Sequence, residues 1–310
     1  MDSPGTLIFE TVHGSRAYGT DGPGSDLDLK GVLVGPADWY HGFQESPEQI
    51  ELHADHVRYE LRKFMRLAAG ANPTLLELLW TDPSDHRVVT PAGQRLLDAR
   101  EAFLSARVKD SFGGYAIAQL KRIRTHRRWL LHPPEGEPQR EAYGLPPVRA
   151  ITKDQQGAAE AMLERGTLSR DDIPPNFLEL LSQERRYRAA RREWQQYRTW
   201  VQHRNPARAE LEARFGYDTK HALHLVRLLR MGAEILETGR LQVRRPDAEE
   251  LLAIKRGAWT YDQLMAHADA LEARVAQAAE ASTLPPNPDL DRLNRLCVEI
   301  VEEVLHGRRP

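Results

Sequence analysis

Two short signals near the N-terminus constrain this chain more than any other feature. Gly14-Ser15 closes an apolar run, Leu7–Val12, and Ser25-Asp26-Leu27-Asp28 leads into a second, Leu27–Gly35. Both runs have the length and β-branched content of strands, and the turn-rich stretch Gly19–Gly24 joins them. Gly-Ser ahead of a short helical stretch offers free backbone N–H groups and a hydroxyl to an anion, and glycine lets that anion approach. Asp26 and Asp28 stand two apart, so on a strand both carboxylates project from one face. Like charges that close resist ionising together. A divalent cation relieves the conflict, and Mg²⁺ favours one or two carboxylates plus substrate phosphates. Either signal alone is an ordinary turn or helix cap. In this order, between two strands, they imply phosphoryl or nucleotidyl transfer.

The stretch GSRAYGTDGPGSDLDLKGV, Gly14 to Val32, resembles the signature of the nucleotidyltransferase superfamily related to DNA polymerase β. Tyr-Gly after the serine and Lys-Gly-Val after the acids are similar to one bacterial branch, the RlaP-like predicted nucleotidyltransferases linked by name to RNA repair. Further similar segments are Asp55–Trp80, Tyr115–Leu130, Tyr217–Leu229 and Leu251–Leu264, so the resemblance touches most of the chain. It implies an α+β fold, with a small mixed-sheet, palm-like catalytic domain followed by a mostly α-helical domain. It also implies NMP transfer from a nucleoside triphosphate, ATP among the candidates, to an acceptor hydroxyl, with release of pyrophosphate. Two Mg²⁺ or Mn²⁺ ions would serve as cofactors, and an RNA terminus, tRNA-like, would be the acceptor.

The rest of the sequence suits such a protein. Its 310 residues suffice for two domains, expected at 1–104 and 105–310. Residues 1–100 carry a net charge of −6, residues 101–230 one of +8 and the remainder −4. An acidic metal domain followed by a basic middle fits a substrate with a phosphate backbone, although solvated helix surfaces give the same balance. No run approaches the ~20 apolar residues that span a bilayer, and the N-terminus lacks the features of a signal peptide. A cytoplasmic location is the expectation. The single cysteine, Cys297, excludes an internal disulfide and reads as a buried helix position. From Pro91 onward apolar residues recur at three- and four-residue steps, predicting helices near 153–165, 176–203, 218–237, 260–280 and 289–306. Ile50–Leu61 is expected as one further strand passing into a helix at Leu61–Ala69, and Asn72-Pro73 starts another helix.

Roles follow for individual residues. Asp26 and Asp28 would be metal ligands, and Gly14 and Ser15 would hold the terminal phosphates. Arg16 and Lys30 would neutralise them unless either is simply a surface residue. The superfamily generally uses a third carboxylate. Asp55 is favoured, with Glu51 and Glu60 as alternatives; on a regular strand Glu51 shares its face and Glu60 does not. Lys220, His224 and Arg227 form one helical stripe with His221 adjacent, and Gln119, Arg122, His126 and Trp129 form another. These stripes would contact nucleotide or acceptor, or else close helix–helix contacts. His41, His53 and His56 lack the spacing of a zinc site, and Ser15 is not in a GxSxG elbow. Arg185–Arg192 reads as a solvated helix face. Two other functions stay open: NMP transfer to a protein or small molecule, and a nucleotide-binding regulator without turnover. The specific NTP, template dependence and oligomeric state are not encoded in any motif.

Overall fold

A computed structural model describes residues 4–43, 45–148, 151–167, 169, 171 and 173–307. The chain forms two compact units, Met1–Arg124 with Arg214–Pro310, and Thr125–Ala213.

The first unit is built on a five-stranded sheet: β1 (Thr6–His13), β2 (Asp28–Val34), β3 (Gln49–His53), β4 (His56–Glu60) and β5 (His86–Val89), in the order β3-β4-β2-β1-β5. β2 and β4 run parallel, while the other pairs are antiparallel, so the sheet is mixed. The helices of the N-terminal part are α1 (Gly14–Tyr18), α2 (Asp38–His41), α3 (Leu61–Ala69), α4 (Pro73–Leu78) and α5 (Pro91–Asp98). α3 buries Leu61, Phe64, Met65 and Ala68, spaced for one helical face, and joins Ile8, Phe9, Val32 and Val34 in the core. The Glu60 side chain starts α3 by accepting the N–H groups of Arg62 and Lys63. Asn72 caps α4 with proline following it.

The segment expected as one strand over Ile50–Leu61 is instead a hairpin. β3 and β4 pair antiparallel with His53 opposite His56, and Ala54-Asp55 forms the turn. The polar, exposed stretch around Ala54 buries nothing that would hold it straight, whereas folding back pairs both backbones. Glu51, Asp55 and Glu60 therefore do not alternate along one strand: Glu51 lies on β3, Asp55 in the turn and Glu60 at the end of β4. β5, with four residues, is too short to show alternation in the sequence.

α6 (Val108–Leu131) leaves the first unit for the second, where α7 (Lys153–Glu164) and α8 (Pro175–His203) follow, and α9 (Pro206–Phe215) leads out. The chain then returns to the first unit with α10 (Thr219–Thr238), α11 (Ala248–Lys255), α12 (Tyr261–Ala281) and α13 (Leu290–His306). α10 is largely buried and packs against α11 and α12. The architecture is α+β, a small mixed sheet followed by a mostly helical remainder. Among the described residues, no helix is long and apolar enough to cross a membrane.

Candidate active site

Strand pairing assembles three carboxylates. Asp28 is the first residue of β2 and lies opposite His13, the last of β1. On the other side, Leu29 pairs with His56 in parallel register and its N–H donates to the Asp55 carbonyl at 2.7 Å, which sets Asp55 beside Asp28. Asp26 precedes the strand rather than lying in it. Its loop is fastened by Arg16, whose guanidinium donates to the Ser25 and Asp26 carbonyls at 2.8 and 3.3 Å. All three acids border one cleft of about 540 Å³ in the first unit.

Gly14 makes this arrangement possible. Its φ of 69° lies in the left-handed region, and a Cβ there would sit 2.0 Å from Asp28 Oδ2. No residue with a side chain fits between the turn and that carboxylate. α1 begins at Gly14 with no side-chain cap on its first N–H groups, and the Ser15 carbonyl accepts the Thr20 N–H at 2.8 Å. The Asp28 carboxyl is raised above its ordinary range, first by burial and then by Asp55 and Asp26, while His13 and Lys30 oppose the shift. Lys30 is held below its usual value by burial, against the pull of Asp28, Asp55 and Glu51.

Residues from far along the chain face the acids. α10 places Lys220, His224 and Arg227 on the cleft, and α11 adds Lys255 at its C-terminus. His224 is pushed down to about 3, chiefly by burial and then by Arg227, Lys220 and His221, so its imidazole is neutral at physiological pH.

A buried network beneath the cleft has no counterpart in the sequence reading. Glu77 on α4 is 1% exposed; its Oε1 accepts from Arg227 Nη1 at 2.6 Å and its Oε2 from the Tyr18 hydroxyl at 2.5 Å. His13 Nε2 lies 3.2 Å from the same Oε2, and the Arg227 guanidinium stacks 3.9 Å over the Tyr18 ring. Burial alone would raise the Glu77 carboxyl, but Arg227, His13 and Tyr18 outweigh it and bring it to about 2. Tyr18 is pushed up, first by burial and then by Glu77, against Arg227. One signal could have disclosed the network: a glutamate inside Leu75–Leu79 and an arginine inside Leu225–Leu229, each an apolar run, need a partner once buried.

Of the residues singled out from sequence, Gly14, Ser15, Asp26, Asp28, Asp55, Lys220, His224 and Arg227 line this cleft. Arg16 and Lys30 flank it without lining it, Arg16 being spent on the Ser25 loop. Glu60 is a helix cap that also accepts the Tyr40 hydroxyl at 2.8 Å, and Glu51 is exposed on β3. Gln119 Oε1 meets His221 Nδ1 at 2.7 Å, and Arg122 is exposed. His126 lies in the second unit, where it stacks on Trp129 at 5.7 Å and meets the tilted Trp200 ring at 5.2 Å, the two indoles being 5.5 Å apart.

Residues 2–131 match the profile of the RlaP family, described as an RNA repair pathway DNA polymerase beta family. The chain is 34% identical over 101 residues to an uncharacterized protein, YcgL, of Bacillus subtilis, covering 31% of this chain and 39% of that one. It is 33% identical over 87 residues to an uncharacterized 38.9 kDa protein of Enterobacteria phage T4, covering 24% of this chain and 26% of the relative. The matches thus span well under half the length of these relatives. No solved structure matches the chain.

Proposed function

We propose that the chain transfers an NMP from a nucleoside triphosphate to the terminal hydroxyl of an RNA, a reading supported by the match of residues 2–131 to the RNA repair pathway DNA polymerase beta family. The observation that carries this reading is the meeting of Asp26, Asp28 and Asp55 with Gly14-Ser15 on one cleft. The acids fit a divalent cation: three carboxylates share one rim, and the charge of two of them disfavours ionisation of the third. Asp26, Asp28 and Asp55 would hold Mg²⁺ or Mn²⁺, which when bound lowers the pKa of an attacking hydroxyl and offsets charge on the phosphates. The backbone at Gly14 and the Ser15 hydroxyl seat the terminal phosphates, and Lys220 and Lys255 add positive charge from the facing wall. Attack on the α-phosphorus forms the new P–O bond, the proton of the attacking hydroxyl passing to solvent, and breaks the bond to pyrophosphate, which departs with its electron pair.

Neutral His224 would serve as a hydrogen-bonding group toward base or ribose rather than as a cation. Arg227 is committed through Nη1 to Glu77, so it sets the cleft floor and supports Tyr18.

The test is pyrophosphate release with each of the four NTPs, Mg²⁺ or Mn²⁺ and total RNA, beside Asp26→Ala/Asp28→Ala. Release that requires RNA and is lost in the variant supports the reading. Label appearing on polypeptide or on a small molecule would reassign the acceptor. Metal-dependent nucleotide binding with no release under any acceptor would make the protein a sensor.

A further inference from the structure

The second unit contains a separate groove of about 840 Å³, lined on its basic side by Lys153, Arg185, Arg188, Arg191 and Arg192. It lies outside the residues that match the family profile. Glu160 and Glu164 are the carboxylates on its wall. Glu160 is already engaged by Arg188 at 2.7 Å and Arg185 at 3.6 Å, so its charge is spent within the unit. Arg191 has only a 3.9 Å contact with Glu137, and among the described residues Lys153 and Arg192 make no ion pair. The Nε of Arg188 is buried with no hydrogen-bond partner, a donor in want of an acceptor.

The pattern along α8 says what kind of acceptor. From 185 to its end at 203 the helix holds six arginines against one carboxylate, Glu193, and four aromatics are interleaved among them. Arg185, Arg188, Arg192 and Gln195 recur at three- and four-residue steps, so one face of α8 presents them over about 15 Å. Farther along the same helix, Arg198 lies over the Trp194 ring at 5.0 Å. Guanidinium forks suit phosphate oxygens, and aromatic–arginine surfaces stack bases. A small anion would use only one end of such a row. An acidic polypeptide would use the charges and leave the rings idle.

We infer that the α7–α8 groove of the second unit binds the sugar–phosphate backbone of single-stranded RNA. The inference deepens the proposed function by giving its acceptor a seat, and rests on that reading for its biological sense but not for its test.

The experiment is fluorescence anisotropy of a labelled 20-nucleotide single-stranded RNA of mixed sequence against full-length protein, across a series of salt concentrations. The variants are Lys153→Gln/Arg192→Gln, which breaks no ion pair, and Arg188→Gln. Circular dichroism and melting confirm that each is folded. Loss of two phosphate contacts is expected to weaken binding roughly tenfold at low salt and to flatten the log–log salt slope by about 1.4. Nucleotide binding by the same proteins is expected to be unchanged. Unaltered affinity and slope in both variants would overturn the inference, as would absence of RNA binding by the wild type. Displacement of the RNA by polyglutamate at matched charge would assign the groove to acidic polypeptides instead. If the variants lose RNA as expected but the wild type incorporates no NMP, the groove stands and the nucleotidyltransferase reading fails.

Discussion

Replacing Glu77 by leucine strips the charge that neutralises Arg227 while nearly keeping the volume. Arg227 is 6% exposed and would be left as an uncompensated cation in the core, facing Tyr18 and Met231. Removing one partner of a buried pair costs about 3–5 kcal/mol, whereas replacing both by well-packed apolar groups is often neutral or better. The Tyr18 hydroxyl also loses its acceptor, a further penalty of about 1–3 kcal/mol unless water or His13 takes over. We therefore expect Glu77→Leu to lower the urea-unfolding free energy by at least about 3 kcal/mol. In a unit this large that is a fall of about 6–12 °C in Tm, at about 2–4 °C per kcal/mol. Glu77→Leu/Arg227→Leu, made in a Tyr18→Phe background, should recover most of the loss, and the double-mutant cycle should show strong coupling. A Glu77→Leu protein within 1 kcal/mol of wild type, by the scale of an ordinary substitution, would refute the argument. So would a double variant that loses as much as the two singles added together.

Other consequences can be measured directly. Gly14→Ala forces a β-carbon against Asp28 Oδ2 and a left-handed backbone on alanine; displacing the carboxylate by ~1 Å should cut nucleotidyl transfer about 100-fold, with weakened Mn²⁺ binding by calorimetry. Transfer within threefold of wild type would contradict the proposed close fit. Asp28→Asn removes a carboxylate whose pKa the fold raises, so in EDTA above that pKa it should melt higher than wild type, and the rise in Tm on adding Mg²⁺ should shrink. His224 has a folded pKa depressed from 6.5 to about 3. The unfolded chain therefore binds the extra proton between those values, and stability should rise with pH across that window. His224→Asn should flatten this part of the urea-derived stability profile.

Much of the sheet-bearing site was legible because its signals are local. Gly14, Asp26 and Asp28 fall within a strand–turn–strand stretch whose apolar runs announce themselves, and Gly14 has a steric reason that a sequence can only suggest. Helix starts were readable where caps are chemical: Asn72, followed by Pro73, caps α4 by accepting the Leu75 N–H. The Ala54-Asp55 turn was hidden because Asp55 is its single turn-favouring residue, with no glycine, proline or asparagine beside it. Asp55 reaches Asp28 through parallel pairing of β2 with β4, a register no local pattern specifies. The Glu77–Arg227 pair was missed for a different reason. Its two halves are 150 residues apart, and each alone resembles a stray charge in an apolar helix. α9 and α11 were missed because short helices show too few turns of periodicity.

The separation of that pair also sets a clock on biosynthesis. The first unit is interrupted by residues 125–213, so Arg227 reaches it only after the whole intervening unit has been made. At about 5–20 residues per second, 150 residues take roughly 8–30 s. During that interval the nascent sheet, complete through β5, carries Glu77 without its counter-charge and its core cannot close around it. The floor of the cleft is thus laid after its rim, and a ribosome halted before α10 would display a sheet with all three acids but no far wall.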